Sequence, residues 1–85
     1  MRDLDELRRT FIRIEHLPDF QPDQRIWWIY VRNAAIEVVS RADLPELQAA
    51  TDLVQDFPEK RPMERERWLA FREAVGLFLA QTSSE

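Results

Sequence analysis

The sequence contains no cysteine and only one histidine, His16. Without cysteine there can be no disulfide, thiolate zinc site or cysteine nucleophile, and one histidine cannot build a histidine-rich metal site within one chain. Glycine also occurs once, at Gly76, so P-loops, GxGxxG dinucleotide turns and GxSxG nucleophile elbows are missing. We therefore expect no enzyme activity, no cofactor and no metal site.

Long hydrophobic runs are missing as well. Charged residues make up 33% of the chain and recur throughout it, so no apolar run approaches the ~20 residues that a membrane-spanning helix needs. The first six residues, Met1 to Glu6, are mostly charged and do not resemble a secretory signal. These features predict a cytoplasmic protein that does not enter a membrane, and its net charge of -4 disfavours nucleic acid as a partner.

What the chain does contain is enough apolar material for one core. Of its 85 residues, 45% are hydrophobic, and the aromatics comprise five Phe, three Trp and one Tyr. A chain of this length leaves room for only one domain. We therefore predict a single helical domain over residues 1–85, with a polar tail at residues 81–85 that is frayed.

Apolar residues at spacings of three and four predict four helices. The expected spans are Leu4–His16, Pro22–Arg41, a third helix from just after Asp43 to Phe57, and Pro62–Gln81. Asp43 is expected to cap the third helix, with Glu46 as its capping partner. Since the connections are short, the predicted fold is all-α, a small antiparallel four-helix bundle with a shorter third helix.

The run from Ile26 to Val31 is the one segment whose residues favour a strand. No second run of this kind exists to pair with it, and the helical spacing continues to Val38, so a helix is predicted instead. The main apolar stripe of each of the four helices is expected to face inward, so that the four stripes form one core. Its aromatic members are predicted to be Phe11, Trp27, Trp68 and Phe71.

The second predicted helix carries a second apolar line, turned away from its core stripe. The line consists of Ile26, Ile29, Asn33 and Ile36 and continues to Ser40. An Asn within such a line is a known device for fixing the register and number of paired helices. Either the line contacts another chain, or the second helix is central and has neighbours of the same chain on both sides.

The fourth predicted helix has a face formed by Leu69, Gly76 and Ala80, where glycine and alanine leave little side-chain volume. Glycine within a helix costs ~1 kcal/mol relative to alanine, which suggests a compensating close approach of another helix. That helix either belongs to a second chain or is the third helix of the same chain, which offers Ala49 and Ala50.

The first predicted helix places Arg2, Arg9 and Arg13 on one side, together with His16. Such a ridge could contact phosphates. Asp5 and Glu6 share its edge, and Glu6 lies at pairing distance from Arg9, which is typical of an ordinary solvated face.

From these observations we expect a small acidic module that binds another protein through helix faces, most simply a second copy of itself in a homodimer. Its size and charge fit a regulatory or inhibitory protein of the antiactivator or immunity type. The predicted interface comprises Ile26, Ile29, Asn33, Ile36, Leu69, Gly76 and Ala80. The alternative is a dimeric nucleic-acid-binding regulator that uses the ridge of Arg2, Arg9 and Arg13.

Overall fold

The computed structural model describes residues 2–54 and 64–83, and these residues form four α-helices and no strand. The helices are α1 (Arg2–Glu15), α2 (Arg25–Arg41), α3 (Pro45–Asp52) and α4 (Glu64–Ser83), and a single 3₁₀ turn, Pro22–Gln24, precedes α2. The predicted all-α helical bundle is thus confirmed. The segment of strand formers from Ile26 to Val31 lies within α2, as predicted.

Two predicted boundaries differ from the structure. The predicted second helix begins with the 3₁₀ turn and becomes α-helical only at Arg25. The predicted fourth helix ends at Gln81, whereas α4 continues to Ser83 and the Thr82 hydroxyl accepts a 2.7 Å hydrogen bond from Arg8; the fraying of the tail stays a prediction. The predicted ends at Phe57 and Pro62 fall outside the described residues.

The predicted cap of the third helix is also wrong. Leu44 occupies the capping position of α3, and no side chain caps the helix there. The physical reason is Pro45, which forms the first turn of α3 and excludes the preceding residue from helical geometry. The helix therefore starts later than a cap at Asp43 requires.

The core consists of one apolar stripe from each helix, as predicted, with one exception. Trp28 is fully buried, whereas Trp27, the predicted core residue, is 36% exposed. Trp28 shares a helical face with Val31, Ala35 and Val38, which are all buried, because these positions are three or four residues apart. The predicted core residues Phe11, Trp68 and Phe71 are buried, and Phe78 packs partly against the core.

An aromatic cluster fills one end of the core. Phe20, from the connection between α1 and α2, stacks on Trp68 with ring centroids 5.7 Å apart and meets Trp28 edge to face at 5.2 Å. Trp68 in turn contacts Phe71 at 5.9 Å. The connection before α2 is thereby fixed to the start of α4 by ring packing.

Polar contacts show that α1 runs antiparallel to both of its neighbours. Arg41 at the end of α2 pairs with Asp3 at the start of α1 at 3.0 Å. On the other side, Arg72 of α4 donates hydrogen bonds to the carbonyls of Ile14 (3.1 Å) and Leu17 (2.7 Å) at the end of α1. The outward side of the α1–α2 pair is the part of the surface on which the large exposed aromatics lie.

Candidate protein interaction surface

The side of α2 that faces away from the core carries large apolar side chains. Ile26 is 52% exposed, Tyr30 46% and Trp27 36%. The rings of Trp27 and Tyr30 meet edge to face, with centroids 5.9 Å apart. Asn33 and Glu37 continue this side of the helix and are exposed. We call these five residues the α2 outer face.

A groove with a volume of about 510 Å³ runs between the α2 outer face and α1. Ala34, a small buried residue, lies between its two walls. The α1 wall is formed by Glu6, Arg9, Thr10 and Arg13, and the α2 wall by Trp27, Tyr30, Asn33 and Glu37. The groove therefore combines two aromatic rings with charged side chains along its edges.

The charges of the groove are segregated along its length. At one end the Arg13 guanidinium lies 4.8 Å from the centre of the Trp27 ring. At the other end lie Glu6 and Glu37, because α1 and α2 are antiparallel. Arg9, between the ends, makes an exposed pair with Glu6 at 3.6 Å. Within the described part of the chain, no ion pair involves Arg13 or Glu37.

The predicted second line of α2 divides between surface and bundle. Ile26 and Asn33 are exposed, whereas Ile29 packs partly against the core and Ile36 is half-buried. Ile29 thus has neighbours within its own chain, and a contact of this line with another chain stays a prediction. Trp27 was predicted in the core, and Tyr30 was not predicted to lie at the surface. A helical projection centred on Val31, Ala35 and Val38 would have placed Tyr30 away from the core, but it places Trp27, four positions before Val31, on the core side.

The small-residue face of α4 has a neighbour within the chain. A Cβ atom added to Gly76 would lie 3.3 Å from Cζ of Phe11 in α1, so glycine lets α1 approach α4 closely. The approaching helix is α1 and not the expected α3 with Ala49 and Ala50. Leu69 packs partly against the core and Ala80 is exposed. A contact of Leu69, Gly76 and Ala80 with another chain stays a prediction.

The arginine ridge of α1 is exposed, but it is not uniformly basic. Arg2, Arg9 and Arg13 are all exposed, as are Asp5 and Glu6 on the same helix. Arg9 is paired with Glu6, and Arg13 covers Trp27. This mixture of signs weakens the attraction that several adjacent arginines exert on phosphates.

The described ranges, 2–54 and 64–83, lack two other features, a metal-ligand cluster and a membrane-spanning helix. No group of three histidine or carboxylate side chains there could hold a metal ion. None of the helices in these ranges combines the length and the apolar composition that a membrane span requires.

No protein-family model matches the sequence, and neither the curated proteins nor the solved structures include a match to the chain. The α2 outer face and its groove are therefore the features on which a functional proposal must rest.

Proposed function

We propose that the protein is a helical protein–protein interaction module that binds a partner protein through the α2 outer face and acts by contact, not by catalysis. The observation that carries this proposal is the exposure of Ile26, Trp27 and Tyr30 side by side on one helix. Neighbouring exposed apolar side chains of this kind mark interaction sites more often than single ones do.

The contrast with the other tryptophans supports the proposal. Trp28 and Trp68 are buried within the bundle, so the fold is able to sequester indole rings. Trp27 instead lies beside Tyr30 at the edge of a groove. Tryptophan, tyrosine and arginine are the residues that most often dominate the binding energy of protein interfaces, and all three line this groove.

We further propose that the module is regulatory or inhibitory, of the antiactivator or immunity type. A small protein without a catalytic constellation can still regulate another by covering its functional surface. The groove offers aromatic anchors with charged residues around them, which is the usual arrangement of a specific interface.

The proposal is tested by photo-cross-linking in the native cell. The photoreactive residue p-benzoylphenylalanine replaces Tyr30, and in a matched control it replaces Glu46, an exposed residue of α3. We expect a discrete protein adduct from position 30 and none from position 46. Absence of an adduct at position 30, or an equal pattern at both positions, contradicts the proposal.

Nucleic acid is the alternative occupant, because Arg9 and Arg13 lie beside two exposed rings on which bases could stack. Fluorescence anisotropy with labelled single-stranded and duplex oligonucleotides distinguishes the two functions. Binding that weakens steeply with salt and is lost in Arg9→Glu would replace the proposal with the nucleic-acid function. We expect no such binding at physiological salt.

A further inference from the structure

We infer that the partner at the α2 outer face is a second copy of this chain, bound so that the two α2 helices are antiparallel across a two-fold axis near Asn33. This inference rests on the proposed function and specifies its partner. It follows from the order of charges along the groove.

The groove is basic at the Arg13 end and acidic at the end formed by Glu6 and Glu37. Arg13 lies level with Trp27, ten residues before Glu37 on α2, or about 15 Å at 1.5 Å per residue. A two-fold axis perpendicular to α2 and midway between these positions exchanges the two ends. Arg13 then faces the partner's Glu37, and the partner's Glu6 comes level with Arg9, so the groove complements itself.

The orientation follows from the same charges. If the two α2 helices were parallel, the Arg13 ends of both copies would lie at the same level, and so would both acidic ends. Like charges facing each other across an interface are strongly unfavourable. The antiparallel pairing also supplies partners for Arg13 and Glu37, neither of which has an ion pair within the described part of the chain.

The centre of the pairing is occupied by residues suited to it. The axis lies near position 32, so Asn33 comes close to its own copy, and Tyr30 packs beside the partner's Asn33. Both residues are exposed in the single chain. A polar Asn among apolar side chains favours one register of two paired helices over others.

Charge reversal tests this geometry in sedimentation equilibrium experiments on the full chain. Arg13→Glu and Glu37→Arg should each raise the dimer dissociation constant by on the order of tenfold to a hundredfold, because each places like charges together. The double variant Arg13→Glu/Glu37→Arg should recover much of the lost affinity. Glu46→Arg, which reverses an exposed charge on α3, is the matched control and should leave the constant unchanged.

Disulfide trapping tests the same geometry without altering the charges of the groove. The chain has no cysteine, so a single introduced cysteine can form a disulfide only between copies. Oxidised Asn33→Cys should become a covalent dimer, and Glu46→Cys should not. This measurement also decides the matter if Arg13→Glu fails to fold by circular dichroism.

A wild-type chain that stays monomeric at ~100 µM overturns the inference. A double variant that dimerises more weakly than both single charge-reversal variants also overturns it. Equal disulfide formation at positions 33 and 46 has the same consequence. The proposed function fails separately: it survives if Tyr30 cross-links to a different protein while the chain is monomeric, and it fails if position 30 gives no adduct at all.

Discussion

The two adjacent tryptophans of α2 have opposite environments, although they differ by one position in sequence. Trp28 lies in the aromatic cluster, at 5.2 Å from Phe20 and 6.2 Å from Trp68, and is fully buried. Trp27 lies at the groove, where Arg13 and Tyr30 lie against its ring. Helical position alone does not account for the difference, because Trp27 shares its side of α2 with the buried residues Val31 and Ala34.

This contrast predicts very different effects of the same substitution. Trp28→Ala should reduce the free energy of unfolding by ~3 to 5 kcal/mol, because it removes a large buried side chain. Trp27→Ala should cost ~1 kcal/mol, since it loses a partly exposed ring and a cation–π contact. Urea denaturation at low micromolar concentration measures both. Equal losses, or a larger loss for Trp27→Ala, would contradict the assignment of buried and exposed tryptophan.

At the scale of secondary-structure elements, Arg72 joins α4 to the end of α1. Its guanidinium donates to the Ile14 and Leu17 carbonyls, at the C-terminus of α1, and also lies 5.3 Å from the centre of the Trp28 ring. Carbonyls in the last turn of a helix have no partner within that helix. Arg72 donates to one of these, the Ile14 carbonyl, which also accepts the Leu17 N–H at 3.2 Å, and to the carbonyl of Leu17 just after α1.

Loss of this cap should be measurable. Arg72→Gln should lower the free energy of unfolding by ~1.5 to 3 kcal/mol, the range for hydrogen bonds that involve a charged group. The neighbouring exposed residue gives the control, Glu73→Gln, which should change it by less than ~0.5 kcal/mol. Thermal and urea denaturation are the readouts. A negligible effect of Arg72→Gln would show that water replaces the guanidinium at these carbonyls.

The connection between α1 and α2 is held to α4 by an ion pair with a defined pH dependence. Arg65 donates a 2.7 Å hydrogen bond to Asp19, and this contact, aided by the backbone N–H of Phe20, holds the pKa of Asp19 below its usual value. A carboxyl group with a lowered pKa stabilises the fold at pH values above its unfolded pKa, about 3.9. That stabilisation is lost as the pH falls through the folded pKa.

Asp19→Asn should therefore be less stable than the wild type at pH 7. The difference in stability between the two proteins should shrink as the pH falls below about 4, because the wild-type carboxyl then becomes protonated and is neutral like the asparagine side chain. Denaturation curves at pH 7 and pH 3 for both proteins measure it. A deficit that is as large at pH 3 as at pH 7 would assign the effect of Asp19 to something other than its charge.

The sequence predicted the elements better than their contacts. Apolar spacing was sufficient for four helices because Leu7, Phe11 and Ile14, for example, repeat with the period of one helix face. It did not reveal Phe20, which has no periodic context, or the hydrogen bonds of Arg72, which join residues 55 and 58 positions apart. Such contacts depend on how helices meet in space.

The candidate surface was predicted in part for a similar reason. Asn33 and Ile26 were placed correctly on the outward side of α2, since that side follows from the period alone. Trp27 was assigned to the core because it continues the helical spacing of Val31 and Val38. The groove itself requires a second helix at a known distance, and only the structure supplies α1 with Arg13 beside Trp27.

At the scale of the whole molecule, the bundle uses one side of α2 for its own stability and leaves the other to solvent. Trp28, Val31 and Val38 face the core, while Ile26 and Tyr30 remain exposed. The opposite charges at the two ends of the groove let a second copy cover this side. Association and folding are thereby assigned to different faces of one helix.

The most direct test is the molecular mass of the full chain in solution, measured at ~50 µM by sedimentation equilibrium for the wild type and Tyr30→Glu. Tyr30 is 46% exposed, so the substitution should preserve the helical circular dichroism spectrum while placing a charge in the paired face. We predict a mass twice the 10.2 kDa of one chain for the wild type and the mass of a single chain for the variant. A wild-type mass of 10.2 kDa, or a Tyr30→Glu variant that is as dimeric as the wild type, would contradict a dimer formed through the α2 outer face.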